Sequence, residues 1–348
     1  MTNAGLMIEM LGRVSGGEDL STEQMTLVID LIMQGGCPDV QIGLLLTALH
    51  AKGETVDEIA GAALALRQHM TPISSQRSNL LDTCGTGGSG CGAFNISTAA
   101  ALVAAAAGAA VAKHGNRKIT SKSGSADVLT ELGVEINADT ATVERCLDEL
   151  GVCFCFAPAL HPSMKHVSVI RRELGFPTIF NLLGPLCNPA GASRQLLGVG
   201  KPELRNTLAA ALAKLGSERA AVVAGSDGLG EVTLSGPTDV TEIRHGVLTE
   251  TTWTPADFGL ENAPLSAVLA EGPQQSAAII QAVLTGERGP HRDIVVANAA
   301  AALYVAEVAP DLAAGAERAA AAIDSGAAAA CLEKLARISH EGGRPAST

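Results

Sequence analysis

The chain has 348 residues, of which 47% are hydrophobic and 17% charged, so it can bury a sizeable core and is long for one simple domain. Aromatic residues make up 2% and the net charge is −12, which argues against an aromatic platform for nucleic acid and against a surface for anionic membranes. The start, MTNAGLMIEM, has no secretory pattern, and the eight cysteines lack zinc-site spacing, so we expect a cytoplasmic protein with reduced thiols.

The first 70 residues are predicted to be helical. Ser21 and Thr55 each begin a capping-box pattern that Gln24 and Glu58 complete, and apolar residues at helical spacing follow both. No strand pattern separates these helices, and the composition of residues 71–79 is that of a linker. We therefore predict a small all-α domain over residues 1–75.

From residue 80 onward, short apolar runs alternate with helical stretches, which indicates a large α/β domain with a mainly parallel central sheet over residues 76–342. The alanine-rich stretch 100–112 is well short of the ~20 residues of a membrane span and is predicted to be a buried helix leading into a strand. The segment 158–190 fits no strand–helix unit, and we expect part of 160–190 to join the helical domain. The tail, 343–348, is predicted to be disordered.

A glycine-rich stretch, DTCGTGGSGCGAFNIST, occupies residues 82–98, with five glycines from Gly85 to Gly92. A strand, a glycine loop and a helix N-terminus in succession form the arrangement that binds phosphate groups through backbone N–H groups. Ser97 and Thr98 can add hydroxyls. The loop lacks the Walker A ending and the Rossmann spacing, so an ordinary turn with a helix cap is the alternative.

A local basic stretch, KHGNRKITSKSGSAD, follows the next predicted strand at residues 113–127. In a chain of net charge −12, its cations and hydroxyls indicate a flap that neutralises a polyphosphate, with a solvated loop as the alternative. Its basic and imidazole side chains are Lys113, His114, Arg117, Lys118 and Lys122.

Two further pairs of charged residues are candidates. Arg171 and Arg172 point about 100° apart on a helix, so one can face inward and bind a carboxylate or phosphate, or both can lie on the surface. Asp227 and Glu231 follow a later strand, where carboxylates can hold Mg²⁺ beside substrate phosphates or merely form a turn. No nucleophile motif is present, which favours a reaction that depends on phosphate anchoring, metal and positioning.

Several motifs in the same order resemble those of the anthranilate phosphoribosyltransferase family: GTGG, FNISTAAA, KHGNR, SGSADVLTELGV, HPSMKHV, TIFNLLGPLCNPA and NAAAALYVA. The resemblance extends to about residue 338. It implies a helical N-terminal domain, an α/β domain and a homodimer. It also implies transfer of a 5-phosphoribosyl group from phosphoribosyl pyrophosphate to the anthranilate amine, with Mg²⁺, in tryptophan biosynthesis. No nucleic-acid or membrane partner is expected.

The resemblance also implies roles for individual residues. For binding of the phosphoribosyl donor it implies Gly85, Gly88, Ser89, Asn95, Ser97, Thr98, Lys113, Ser121 and Ser125. For binding of anthranilate it implies Gly85, His114, Asn116 and Arg171. For the metal it implies Ser97 and Glu231.

This sequence departs from the family pattern at three positions of the donor and metal site. Ser89 and Gly230 stand where the family usually has aspartate, and Ala93 stands where it usually has threonine. We expect weaker or altered Mg²⁺ dependence and a weaker donor complex, with Asp227 partly replacing the missing carboxylate. The alternative function is a related protein that binds a phosphoribosyl or nucleotide ligand with little turnover, or that uses another aromatic amine.

Overall fold

A seven-stranded sheet lies at the centre of the part of the chain that this computed structural model describes, residues 3–88, 90–118 and 123–342. The strands are β1 (Leu81–Asp82), β2 (Val111–Gly115), β3 (Val152–Phe156), β4 (Arg194–Gly198), β5 (Arg219–Gly225), β6 (Thr238–Arg244) and β7 (Val247–Trp253). Their order across the sheet is β3-β2-β1-β4-β5-β6-β7. Strands β1 to β5 are parallel, and β6 and β7 add to the edge in antiparallel fashion. The predicted α/β fold with a mainly parallel sheet is therefore confirmed.

Helices precede the sheet, as predicted: α1 (Asn3–Ser15), α2 (Thr22–Met33), α3 (Asp39–Lys52) and α4 (Val56–Gln68). Both expected capping boxes form. Ser21 and Thr55 accept the backbone N–H three residues on, and the side chains of Gln24 and Glu58 accept the N-cap amides in return. These reciprocal bonds satisfy donors that a helix start otherwise leaves unpaired, and so fix where α2 and α4 begin.

The other helices cover the two faces of the sheet. They are α5 (Ile96–Ala106), α6 (Ser125–Glu131), α7 (Thr140–Leu150), α8 (Ala157–Leu160), α9 (Lys165–Leu174), α10 (Phe180–Leu183), α11 (Arg205–Lys214), α12 (Pro273–Leu284), α13 (Pro290–Val305), α14 (Leu312–Asp324) and α15 (Ala327–Ser339). Short 3₁₀ helices occupy Pro162–Met164, Gly184–Leu186, Pro202–Leu204, Pro255–Phe258 and Leu265–Val268.

Two apolar cores lie on opposite faces of the sheet. Along β5, Ala221 and Val223 pack into the core that contains α5 and α13, whereas Ala220 and Val222 pack into the core that contains the N-terminal helices. This alternation follows from the period of two along a strand. Strands β4 and β5 therefore lie between the two cores. Their ends lie close to the loops and helices that carry the candidate site residues.

The segment 158–190 contributes to both cores. Leu160 belongs to the core around α5, while Val167, Ile170 and Phe180 are buried with the N-terminal helices. The helices α9 and α10 thus lie against the helical region, close to the sheet. The domain boundary between residues 75 and 76 stays a prediction, and the tail 343–348 lies outside the described residues.

The alanine-rich stretch forms α5, which is almost wholly buried, and leads into β2. Among the described residues, no helix has the length and apolar character needed to cross a membrane.

Candidate active site

A cavity of about 690 Å³ opens where β1, β2, β4 and β5 end, and helices α9 and α10 close its other side. We call it the main cavity. This is the edge at which parallel α/β sheets bind ligands. It brings together the predicted residues Gly85, Gly88, Asn95, Ser97, Lys113, His114, Asn116, Ser125, Arg171 and Glu231. Ser89 and Ser121 lie outside the described residues, and Thr98 and Asp227 do not line the cavity.

The glycine loop follows β1 and forms one wall of the main cavity. Gly87 and Gly88 have φ angles of 68° and 77°, which residues other than glycine rarely adopt. The amide of Thr86 donates to the carbonyl oxygen of Gly198 at 2.9 Å, which ties this loop to the end of β4. The loop therefore presents bare backbone to the cavity, as the sequence predicts.

Three glycines at or after the ends of β1, β4 and β5 pack against one another beneath this wall. A Cβ on Gly85 would lie 2.7 Å from the carbonyl oxygen of Gly198, and a Cβ on Gly198 would overlap the carbonyl oxygen of Gly230. A Cβ on Gly230 would meet the backbone of residues 199 and 200 at 3.1 Å. The ends of β1, β4 and β5 can thus approach closely because these positions carry no side chain.

We expect Gly198→Ala to destabilise the protein by about 2–3 kcal/mol, because the new methyl group overpacks this contact. Gly12→Ala is the matched control, since a Cβ at Gly12 on α1 would meet nothing within 4 Å. Urea denaturation of both variants measures the effect. Equal free energies of unfolding for the two variants would show that the glycine packing is dispensable.

Helix α5 points its N-terminus at the main cavity. Asn95 is its N-cap, and the hydroxyl of Thr98 donates to the Asn95 side-chain oxygen. Thr98 is fully buried. The prediction that Thr98 binds the donor therefore finds no support in its position: its hydroxyl orients Asn95, which does line the cavity.

Lys113, in the middle of β2, is the buried cation of the site. Its Nζ lies 3.3 Å from the hydroxyls of Thr83 and Ser97, and it is 4% exposed. Burial raises the pKa of Glu231 to about 7, and the charge of Lys113 acts in the opposite direction. Lys113 thus lies where it can neutralise both a carboxylate of the protein and an anionic ligand.

Asp82, Cys84 and His114 place one possible ligand atom each within 4.8 Å of one another. The Asp82 carboxylate already accepts from the amides of Cys84 and His114 and from the side chain of Asn188. Burial raises the pKa of Cys84 to about 12, so its thiol keeps its proton at neutral pH. This cluster is therefore a structural tie between strands and does not suit a metal ion.

His114 lies against a second imidazole in the wall of the main cavity. Its Nδ1 lies 2.9 Å from the carbonyl oxygen of Gly184, and its Nε2 lies 3.2 Å from the Nε2 of His161. Burial lowers the pKa of His114 to about 4 and that of His161 to about 3. Because the carbonyl can only accept, the Nδ1 of His114 carries its proton, and both nitrogens of His114 are engaged. His114 is therefore a neutral imidazole at neutral pH, and His161 occupies the nitrogen that could accept a proton.

Arg171, on α9, is the member of the arginine pair that faces inward. Its Nη2 donates to the Asn181 side-chain oxygen at 3.3 Å, and its guanidinium lies 5.7 Å from the centroid of the Phe180 ring. Arg172 is exposed. The helical spacing predicts that only one arginine of the pair need face inward, and Arg171 is that residue.

Within the predicted flap, residues 113–127, Asn116 directly follows β2 and Ser125 begins α6. The Asn116 carbonyl oxygen accepts the amide of Ala126 at 3.1 Å and the hydroxyl of Ser125 at 3.4 Å. Asp127 accepts the backbone amides of Lys118 and Gly124. The two ends of the flap are thus joined beside the cavity.

Asp227 lies in the turn after β5. One carboxylate oxygen accepts the amide of Leu229 at 3.1 Å, and the other accepts the hydroxyl of Thr233 at 2.7 Å. Both oxygens therefore serve the turn. The expectation that Asp227 replaces a missing carboxylate at the metal site is not supported by this position.

Several residues of the main cavity were not predicted from the sequence. His161 lies 47 positions from its partner His114, and Asn181 is ten positions from Arg171. Gly198 and Gly200 enter through β4, far along the chain from the glycine loop. The only available signal for His161 was its place in the motif HPSMKHV.

The charge of the main cavity is opposite to that of the chain. Its described lining carries the cations Lys113, Arg117, Lys165 and Arg171, and Glu231 is the only acidic residue of that lining. A surplus of cations favours an anionic ligand.

Comparison with known proteins identifies relatives of the whole chain. Residues 8–70 match the helical bundle domain of a glycosyl transferase family, and residues 77–329 match the a/b domain of a glycosyl transferase family. An anthranilate phosphoribosyltransferase of Rhodopirellula baltica is 53% identical over 321 residues, which is 92% of this chain and 94% of the relative.

Solved structures also resemble the chain over most of its length. The crystal structure of anthranilate phosphoribosyltransferase from Thermus thermophilus has a TM-score of 0.90 at 43% identity and covers 95% of this chain and 99% of that one. The enzyme from Saccharomyces cerevisiae, in complex with phosphoribosyl pyrophosphate and Mg, has a TM-score of 0.87 at 30% identity and covers 96% and 97%.

Proposed function

The chain belongs to the anthranilate phosphoribosyltransferase family, and we propose that the main cavity is the site of its reaction. The protein is an enzyme that transfers the 5-phosphoribosyl group of phosphoribosyl pyrophosphate to the amine of anthranilate, in tryptophan biosynthesis. The carrying observation is that one cavity is lined both by a glycine loop with a buried lysine and by an inward arginine. The loop and the lysine suit a diphosphate, and the arginine suits a carboxylate.

In this proposal the donor lies along the glycine loop and the start of α5. Backbone N–H groups and the helix dipole stabilise the negative charge that develops on the leaving pyrophosphate. The donor-binding residues are proposed to be Gly85, Gly88, Asn95, Ser97, Lys113 and Ser125, which all line the main cavity. Ser89 and Ser121 keep this role as a prediction.

Anthranilate is proposed to lie between β2 and α9, with its carboxylate on Arg171 and its ring beside Asn116 and His114. Its aromatic amine is uncharged at neutral pH and attacks C1′ of the ribosyl group with its own lone pair. The bond from C1′ to pyrophosphate breaks, and its electron pair leaves with the pyrophosphate. The nitrogen, now positively charged, then releases one proton to solvent. The protein contributes mainly by holding the two reactants together, which replaces a collision by a unimolecular step.

The residues near Lys113 fit a magnesium ion held largely by the substrate. Glu231 and Ser97 offer a carboxylate and a hydroxyl, the hard oxygen ligands that Mg²⁺ prefers. When bound there, Mg²⁺ supplies positive charge for the pyrophosphate group. With glycine at position 230, the described part of the site offers this ion one carboxylate, which is why we expect an altered Mg²⁺ dependence.

We expect the apparent affinity for Mg²⁺ to fall as the pH drops below about 7. The pKa of Glu231 is about 7, so its carboxyl gains a proton in this range and loses the negative charge that binds the cation. Titrations of activity with Mg²⁺ between pH 6 and pH 8 measure this change. Glu231→Gln should weaken Mg²⁺ binding and reduce the pH dependence to the part that the substrate phosphates cause, whereas Asp227→Asn should leave it intact. An equal pH dependence in the unmodified protein and in Glu231→Gln would contradict the role of Glu231.

We also propose a cytoplasmic homodimer. Support for the compartment comes from the eight cysteines, none of which forms a disulfide bond in the described part of the chain. Support for the dimer comes from apolar side chains on the surface of the N-terminal helices, among them Ile8, Val40 and Leu44.

Mass spectrometry of the reaction mixture tests the activity itself. With both substrates and Mg²⁺, we expect a product with the mass of N-(5-phosphoribosyl)anthranilate and the release of pyrophosphate. Omission of either substrate should abolish both signals. If pyrophosphate appears with both substrates present but no phosphoribosyl anthranilate forms, the cavity only hydrolyses the donor, and the proposed transfer is wrong.

A further inference from the structure

A buried serine outside the main cavity holds the backbone where the glycine loop becomes α5. Ser276, on α12, is fully buried, and its Oγ accepts the backbone N–H of Asn95 at 2.8 Å. Ser276 is 181 positions from Asn95 along the chain and is not among the described residues that line the cavity. The hydroxyl thus holds the backbone of Asn95 from the side that faces away from the cavity.

This contact continues a short run of backbone pairing. The amide of Phe94 donates to the carbonyl oxygen of Val268 at 3.0 Å, and the amide of Ala270 donates to that of Gly92 at 2.8 Å. Residues 92–95 are therefore fastened to the segment that leads into α12. Ser276 supplies the last bond of the run, at the residue that caps α5.

The same helix also supports the flap. Gln274, near the start of α12, donates to the side chain of Glu131 at 2.7 Å. Glu131 is the last residue of α6, which begins at the flap residue Ser125. Helix α12 therefore lies behind both loops that we assign to the phosphoribosyl donor.

Loss of the Ser276 hydroxyl would leave the Asn95 amide without an acceptor. A buried N–H without an acceptor costs about 1–3 kcal/mol. Since Ser276 is fully buried, the amide can regain a partner only if the backbone at Asn95 turns toward the main cavity, which Asn95 lines. Such a turn moves the end of the glycine loop and the start of α5, where the donor phosphates bind.

We propose that Ser276 is a positioning residue for the phosphoribosyl pyrophosphate site, acting through the backbone of Asn95. This inference rests on the proposed function of the main cavity. Ser276 does not line the cavity, yet it should contribute to the affinity for the donor. It should not contribute to the binding of anthranilate.

The test compares Ser276→Ala with Ser339→Ala. Ser339 is the matched control because it is also buried and its Oγ also accepts a distant backbone amide, that of Glu135 at 2.9 Å. Both variants should lower the free energy of unfolding by similar amounts. Only Ser276→Ala should raise KM for phosphoribosyl pyrophosphate, by about 5- to 10-fold for one lost hydrogen bond, with KM for anthranilate unchanged. Calorimetric titration with phosphoribosyl pyrophosphate should show the same loss of affinity, and Ser276→Thr, which keeps the hydroxyl, should recover it.

Equal donor affinities in Ser276→Ala, Ser339→Ala and the unmodified protein would overturn the role of Ser276. So would an equal loss of donor affinity in both alanine variants, because that result would trace the effect to general destabilisation. Failure of the unmodified protein to bind phosphoribosyl pyrophosphate would instead overturn the proposed function of the cavity. The two failures are thus distinguishable.

Discussion

Replacement of Lys113 by methionine is expected to lower kcat/KM for phosphoribosyl pyrophosphate by about 100- to 1000-fold, the range found when one preorganised group that stabilises developing charge is removed. Methionine keeps the length and apolar part of the side chain and removes only the charge. In the unmodified protein, the Nζ of Lys113 lies 3.3 Å from the hydroxyls of Thr83 and Ser97, which flank the glycine loop. Without it, the leaving pyrophosphate loses the buried cation closest to the start of α5.

Lys165→Met is the matched control, because Lys165 also lines the main cavity but is exposed to solvent. An exposed charge is screened, so we expect this variant to change kcat/KM far less. Steady-state kinetics with varied donor concentration give both values, and thermal denaturation shows whether each variant is folded. Equal losses in the two folded variants would show that Lys113 acts only through the overall charge of the cavity.

Arg171→Ala is expected to raise KM for anthranilate by about 30- to 150-fold, which corresponds to about 2–3 kcal/mol for a lost charge-assisted hydrogen bond. Arg171 lies between the side chain of Asn181 and the ring of Phe180, and burial lowers its pKa without neutralising it. A partly desolvated guanidinium that is already oriented binds a carboxylate more strongly than an exposed one.

The neighbouring residue gives the control for this prediction. Arg172→Ala removes the same charge from the same helix at an exposed position, and KM for anthranilate should stay close to that of the unmodified protein. Aniline, which lacks the carboxylate, should be an equally poor acceptor for the unmodified protein and for Arg171→Ala. If Arg171→Ala discriminates against aniline as strongly as the unmodified protein does, the carboxylate is bound elsewhere.

The local features of the site could be predicted from the sequence because each depends on neighbours along the chain. A strand, a glycine run and a helix start in succession determine the loop at Gly85–Gly92 and the direction of α5. The capping boxes at Ser21 and Thr55 also involve residues only three positions apart. Such patterns fix local geometry before any tertiary contact forms.

The contacts that complete the site could not be predicted in this way. His161 meets His114 across 47 positions, and Ser276 meets Asn95 across 181 positions. Both pairs depend on how strands and helices pack, and a single sequence carries no period or spacing that reports this. Thr98 belongs to the FNIST motif that led to its prediction as a donor-binding residue. Its hydroxyl is nevertheless buried in the protein and bonded to Asn95.

The hairpin of β6 and β7 could have been predicted from the sequence, but the expectation of alternating strands and helices did not include it. Strands β6 and β7 form a hairpin across His245 and Gly246, whose φ angles are 47° and 81°. The run TDVTEIR is rich in β-branched residues, and a two-residue turn that ends in glycine is typical of a tight hairpin. The expectation of alternating strands and helices does not include this antiparallel edge.

The decay of anthranilate fluorescence tests the central claim most directly, namely that the main cavity performs phosphoribosyl transfer despite Ser89 and Gly230. Purified protein is mixed with anthranilate and phosphoribosyl pyrophosphate over a series of Mg²⁺ concentrations. We predict a decay that requires both the donor and the protein, that is nearly lost in Lys113→Met, and whose Mg²⁺ midpoint rises below pH 7. A folded protein that produces no decay at any Mg²⁺ concentration would contradict this account and favour a binding protein or a different acceptor.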